Sequence, residues 1–275
     1  MSDNSQQIEY WNGKAGATWV AAQERLDRML EPLSARAVAA AATQAGERVI
    51  DVGCGCGTTT LALAASGASV WGVDISAPML ALAKARAAGL DNVAFSEGDA
   101  ATHHYTADHQ LIFSRFGVMF FADPRSAFAN MRTSLTGDGR MVFLCWQAPR
   151  ENPWVSVGGM ALQPFLPEPA TPIDPRAPGP FAFADRDYLN GMLKDAGFVD
   201  IQIEDVRETV HVADSLDEAM AFQSEIGPAA RALTELEGDQ RDQALAAVRS
   251  ALSERMTDSG LHLGAATWLV SARNQ

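Results

Sequence analysis

The stretch Val49-Ile-Asp-Val-Gly-Cys-Gly-Cys-Gly-Thr58 decides how this chain is read. Its apolar first half, Arg48 to Gly53, has the character of a buried strand, and it runs into glycines at positions 53, 55 and 57. Glycine lets a backbone turn sharply and lets a ligand approach it closely. Thr58 to Ala65 is small and apolar and reads as a helix that Gly67 stops. A strand, a glycine turn and a helix in succession place a nucleotide site at the mouth of a sheet.

The acids nearby narrow the choice of ligand. A dinucleotide fingerprint has its third glycine or alanine where this chain has Thr58. The carboxylate of Asp51, just before the turn, repels a pyrophosphate and suits a ligand carrying an ammonium group. Asp74 closes a second strand, Ser69 to Asp74, where it can accept hydrogen bonds from both hydroxyls of a ribose. Asp99, in Ser96-Glu-Gly-Asp-Ala100 after a third strand, can accept the amino group of an adenine. A cationic amino acid joined to adenosine satisfies all three acids, and that ligand is S-adenosylmethionine.

Outward from this segment, strands and helices alternate at short spacing. Strands are expected over Asn92 to Ser96, Gln110 to Ser114 and Arg140 to Trp146. Ser76 and Pro78 open a helix that Gly89 closes. Asp123-Pro124 caps another, which carries Phe128, Met131 and Leu135 and is expected to end at Gly137. Such alternation argues for an α/β fold with a parallel sheet covered on both faces. Before it, Trp19 to Ala42 is helical, with a break expected at Pro32 and an end at Gly46. After it, nine of the 13 prolines fall between Pro149 and Pro180, so this stretch is expected to be irregular and lid-like. A helix over Asp185 to Ala196, a long strand over Val199 to Val212, helices from Ser215 to about Met256 and a final strand over Ala265 to Val270 complete the pattern.

Composition excludes several classes. With 275 residues, 47% hydrophobic and 20% charged, the chain folds around a substantial core. Lys and Arg total 21 against 34 Asp and Glu, a net charge of −13 that repels nucleic acid and anionic lipid. No apolar run approaches the ~20 residues of a membrane helix, and Met1 to Gln7 lacks the character of a signal peptide. Cys54, Cys56 and Cys145 form no disulfide framework and no zinc motif, so a reduced, cytoplasmic protein is expected.

The motifs Asp51-Val-Gly-Cys-Gly-Cys-Gly57, Gly72-Val-Asp-Ile-Ser76 and Gly98-Asp-Ala100 resemble those of class I S-adenosylmethionine-dependent methyltransferases, in the bacterial small-molecule branch similar to quinone-biosynthesis enzymes. The segment Phe113-Ser-Arg-Phe-Gly-Val-Met-Phe-Phe-Ala-Asp-Pro124 carries the same resemblance, while Gly137-Asp-Gly-Arg140 departs from the usual Pro-Gly-Gly. The resemblance is strong over residues 47–146. It implies a Rossmann-like, seven-stranded, mostly parallel sheet with an antiparallel last strand, helices on both faces and lid insertions. Residues 1–45 are then a helical cover, 46–146 the cofactor-binding core, 147–184 a proline-rich lid, and 185–275 the completion of the sheet with inserted helices over 214–257.

Carried over residue by residue, the resemblance implies that Asp51, Gly53, Gly55 and Gly57 hold the methionyl part and ribose. Asp74 would take the ribose, Ile75 would pack on adenine, and Asp99 with Ala100 would read its edge. Ser114 and Arg115 would lie beside the sulfonium, and Trp19 would cover the cofactor. Tyr10, Trp11, Phe120, Trp146 and Trp154 are expected to shape an apolar acceptor pocket. No catalytic residue stands out. Arg115 either orients an acceptor or forms a structural ion pair, and His211 is either a general base or a surface histidine. The adjacent His103 and His104 point in different directions, so no metal is expected.

The implied activity is methyl transfer to a small-molecule acceptor by in-line displacement, releasing S-adenosylhomocysteine, with positioning and water exclusion supplying the rate. A protein that binds the cofactor without methylating, as a cyclase, lyase or regulator, is the alternative. No nucleic acid or membrane partner is expected, and the chain is read as a monomer or homodimer.

Overall fold

The computed structural model describes residues 4–167 and 174–275. Residues 1–3 of the polar N-terminus and 168–173 of the expected lid lie outside the described residues.

Three N-terminal helices, α1 (Ser5–Asn12), α2 (Lys14–Ala21) and α3 (Gln23–Ala41), precede the alternating region. That region comprises β1 (Arg48–Val52), α4 (Thr58–Ala64), β2 (Ser69–Asp74), α5 (Ala77–Arg86), β3 (Val93–Glu97), β4 (His109–Arg115), α6 (Pro124–Arg132) and β5 (Leu135–Trp146). There follow α7 (Pro153–Leu162), α8 (Arg186–Asp195), β6 (Val199–Ala213), α9 (Leu216–Glu225), α10 (Pro228–Leu233), α11 (Gly238–Ser253), β7 (Met256–Thr257) and β8 (Gly260–Arg273).

The sheet runs β3-β2-β1-β4-β5-β8-β6, and the two-residue β7 pairs with β8 outside this path. β1 is parallel to β2 and β4, and β4 is parallel to β5. β8 is antiparallel to both β5 and β6. The expected seven-stranded path with an antiparallel last strand is therefore present. Strand order reverses between β1 and β4, and ligands of open α/β sheets bind outside the strand ends at such a switch point. Four of the five β1 residues are buried, which is why its sequence lacks alternation. Phe113, Phe128, Phe143 and Phe183 are among the largest fully buried side chains. Phe128 lies 5.5 Å from Phe143 and 5.9 Å from Phe183, so α6 is joined to the sheet through aromatic contacts.

Three expectations are corrected. α3 continues through Pro32. Proline removes one helical hydrogen bond, but the buried stripe Leu26, Met29, Leu30, Leu33, Ala37 and Ala41 spans the position and keeps the helix against the core. The helix ends at Ala41, with Ala42 in the left-handed conformation at φ 47°, in agreement with the expected helical span to Ala42. α6 stops at Arg132, and Gly137 lies within β5, whose pairing with β4 begins at Leu135. The expected irregular lid contains a well-packed helix: Trp154, Val155, Val157, Gly158 and Leu162 of α7 are buried. Pro153 occupies its first turn, where a missing N–H costs nothing.

Asn152 positions that helix. It is fully buried, and its Nδ2 donates to the carbonyls of Gln147 (3.1 Å) and Ala148 (3.2 Å). Its Oδ1 accepts from the Trp154 indole at 3.2 Å and from the Ala266 N–H of β8 at 2.8 Å. Asn152→Ala strands two donors and two carbonyls in the core. Urea unfolding should show a loss on the order of 2–4 kcal/mol, whereas a loss below about 0.5 kcal/mol would contradict this role.

Candidate functional site

The turn between β1 and α4 is built from left-handed glycines: Gly53, Gly55 and Gly57 have φ of +63°, +55° and +82°. A Cβ on Gly53 would stand 2.6 Å from the Cα of Gly117, so the turn after β1 nests against the turn after β4. Ser114, fully buried, ties the same two segments. Its Oγ donates to the Val52 carbonyl at 2.7 Å and accepts from the Gly117 N–H at 3.2 Å. Asp74 clamps the turn from the β2 side, where Oδ2 accepts from the Gly55 N–H at 2.7 Å and Oδ1 from the Ser76 N–H at 2.8 Å. Each oxygen retains a lone pair for a further donor. Burial pushes the Asp74 pKa up, against the pull of the Ser76, Gly55 and Ile75 N–H groups.

Asp51 is 0% exposed. Its Oδ2 accepts from the hydroxyls of Thr59 (2.9 Å) and Thr60 (2.7 Å) in the first turn of α4. Its Oδ1 is buried without a partner. Burial raises the pKa to about 6, while the two threonine bonds and the Arg115 charge pull it down and the Asp74 charge pushes it up. Arg115 donates from Nη1 to Ser34 Oγ at 2.8 Å. Burial lowers its pKa, and the charges of Asp27 and Asp51 oppose that shift. Asp27 in turn accepts from Thr58 Oγ1 (2.6 Å), Gln23 Nε2 (2.6 Å) and Arg86 Nη2 (2.9 Å).

Sequence reasoning missed this network of Gln23, Asp27, Ser34 and Arg86. Its signal was available: Gln23 and Asp27 stand four residues apart beside Leu26 and Leu30, so two polar groups flank an apolar helical stripe. Gln23 Oε1 is a second buried acceptor without a donor. Two such oxygens, on residues bonded to Thr58, Thr59 and Thr60, form a donor-poor region at the glycine turn. The ammonium group of an amino acid supplies the N–H donors that such a region lacks, so the residues present fit the amino-acid end of S-adenosylmethionine.

The other expected residues fall into groups. Asp99 accepts from the Ala101 N–H at 2.9 Å, and Ala100 is buried beside it. Trp11 lies 5.2 Å from Tyr10, 5.8 Å from Trp19 and 5.4 Å from Phe120. Tyr10 is 48% exposed, which places it at the rim of that group. Trp146 and Trp154 form a second group at 4.9 Å. The missed member there is Phe116, stacked on Trp146 at 4.1 Å with rings 4° from parallel. Its backbone is left-handed at φ 65°, an unfavourable conformation for an aromatic residue and one found at binding sites. His211 stands apart on β6, with Nε2 3.1 Å from Asp214 and its ring 4.8 Å from His262. His103 packs against Trp71 at 5.0 Å and Tyr105 at 5.1 Å.

A Rossmann-like domain with a glycine turn at its switch point, acids near the ends of β1 and β2 and a third after β3 has the layout that receives a nucleotide outside the strand ends. Residues 49–139 match the family model described as a methyltransferase domain. The chain is 32% identical over 152 residues to aklanonic acid methyltransferase DauC of Streptomyces sp. strain C5, covering 53% of this chain and 64% of that one. It is 31% identical over 124 residues to demethylmenaquinone methyltransferase of Clavibacter sepedonicus, covering 45% and 49%. It thus spans 64% and 49% of the length of these two relatives. The structure of YcgJ from Bacillus subtilis shares the fold, with a TM-score of 0.59 and 19% identity over 88% of this chain and 97% of that one. Residues 49–139 are thus similar to a methyltransferase domain, and the sheet order with its antiparallel end is the Rossmann-like fold of class I methyltransferases.

Asp51 makes stability depend on pH. Its folded pKa stands above the ordinary carboxylate value, so its contribution is full below about pH 4 and is lost as pH rises through about 6. Asp51→Asn keeps an acceptor for the threonines and does not titrate. In urea unfolding its stability relative to wild type should rise by on the order of 3 kcal/mol between pH 4 and pH 8. A constant difference across that range would contradict the assignment.

Proposed function

We propose that the chain transfers a methyl group from S-adenosylmethionine to a small, ring-bearing acceptor. The observation that carries this reading is the buried, unpartnered Asp51 Oδ1 at a left-handed glycine turn, between the clamped Asp74 and the network around Arg115. Asp51, Gly53, Gly55 and Gly57 hold the amino-acid end, Asp74 the ribose, and Ile75, Asp99 and Ala100 the adenine. Arg115 neutralises the buried acids beside that end, and Ser114 acts through the turn it braces. Trp19 covers the cofactor.

When bound, the sulfonium supplies an already activated methyl group. The chain's own residues then have to align the acceptor and exclude water, and neither task needs a metal or an indispensable general base. Trp11 and Phe120 on one side and Phe116, Trp146 and Trp154 on the other supply ring faces for this purpose. The relatives act, by their names, on aklanonic acid and demethylmenaquinone, which supports a small organic acceptor. Residues 1–45, 147–184 and 214–257 wall the acceptor, while 46–146 bind the cofactor. The protein works in the cytoplasm as a monomer or homodimer, without nucleic acid. Among the described residues no helix is long and apolar enough to cross a membrane.

Asp74→Ala removes the ribose acceptor and the clamp on Gly55 together. Calorimetry with S-adenosylhomocysteine should show binding weakened by on the order of 2–4 kcal/mol. Affinity equal to wild type would overturn the cofactor assignment. A screen with labelled S-adenosylmethionine against phenols, quinols and carboxylic acids identifies the acceptor, and transfer to none of them would favour a non-methylating role.

A further inference from the structure

Asn4 and α1 are tied to the segments that follow β2 and β3. Asn4 is 8% exposed, and its single Nδ2 donates to both carboxylate oxygens of Asp99, each at 3.0 Å. Its Oδ1 accepts from the Ala122 N–H at 2.8 Å. At the other end of α1, Asn12 Nδ2 donates to the Ile75 carbonyl at 2.7 Å, and its Oδ1 accepts from the Ala77 N–H at 2.9 Å. The Trp11 carbonyl accepts from Ser76 Oγ at 2.8 Å. An eight-residue helix is about 12 Å long, and this one reaches from the segment after β3 to the segment after β2. These are the two segments that bracket the adenine in the reading above, on which this inference rests.

A carboxamide carries an NH2 donor beside a carbonyl acceptor. The edge of adenine carries the same pair, an amino group beside a ring nitrogen. We infer that Asn4 is an internal occupant of the adenine-amino subsite, satisfying Asp99 in the free protein and leaving it when the cofactor binds. Asp99 is half-buried, so a vacated carboxylate there would lose hydrogen bonding that water replaces incompletely. The Asn12 end has no such conflict, because its contacts are to the backbone of Ile75 and Ala77. The helix thus pivots: the Asn4 end lifts while the Trp11 end remains as cover. The Asn4–Asp99 contact acts as a competitor, lowering the apparent affinity by the fraction of molecules in which it is closed.

The test combines calorimetry and amide exchange, using S-adenosylhomocysteine as the probe and the full chain throughout. Asn4→Ala should bind the probe about tenfold tighter than wild type. Asn4→Asp, which sets two carboxylates against each other, should also bind more tightly than wild type. In the wild type the Ile8 amide, bonded to the Asn4 carbonyl at 2.9 Å, should exchange faster once the probe is bound. Equal or weaker binding by Asn4→Ala, or slower exchange at Ile8 on binding, overturns the inference and leaves the cofactor reading standing. Failure of both wild type and Asn4→Ala to bind the probe overturns both.

Discussion

A carboxylate buried with one oxygen satisfied and one unpaired is the constraint on which this site depends. Asp51 lies at the end of β1, the strand that pairs with both β2 and β4 at the switch point of the sheet. Nothing about packing a parallel sheet requires an acid there, and an apolar residue would fill the position without desolvating a charge. The Thr59 and Thr60 hydroxyls hold one oxygen, so the other has a fixed direction. Around it the glycines take left-handed conformations, Asp74 bonds the Gly55 N–H, and Ser114 braces the neighbouring turn. The glycine turn is held by contacts within the chain, which reduces the ordering cost of binding there.

The second half of the site follows from the fold's additions. α7 is anchored through Asn152 to the segment after β5 and to Ala266 in the middle of β8, and Trp154 stands 4.9 Å from Trp146. Phe116 joins that stack only because its backbone accepts a left-handed conformation, while Gly117 behind it touches Gly53. One short segment, Phe116-Gly117, therefore joins the Trp146 stack to the glycine turn.

Much of this was legible in the sequence because its signals are local. The glycine spacing, the acids closing successive strands and the helix cap at Asp123 act within a few residues of themselves, and that cap makes the bond its position implies. What escaped reading was long-range. Pro32 signals a break, but the buried face of α3 overrides it. The proline count between Pro149 and Pro180 signals irregularity, but Pro153 sits in the first turn of a buried helix. The network of Gln23, Asp27, Ser34 and Arg115 joins residues up to 81 positions apart, and the role of Asn4 depends on a partner 95 positions away. Such pairings have no local signature.

The central claim is that Asp51 keeps an oxygen for the ammonium group of the cofactor. It is tested most directly by counting protons when S-adenosylhomocysteine binds at pH 6, by calorimetry in buffers of different ionisation enthalpy. Asp51 is then close to half-protonated in the free protein, and pairing with an ammonium group holds it charged. Wild type should release about half a proton per ligand bound, and Asp51→Asn should release none. Equal proton release by the two proteins, or none by either with binding intact, would contradict the account.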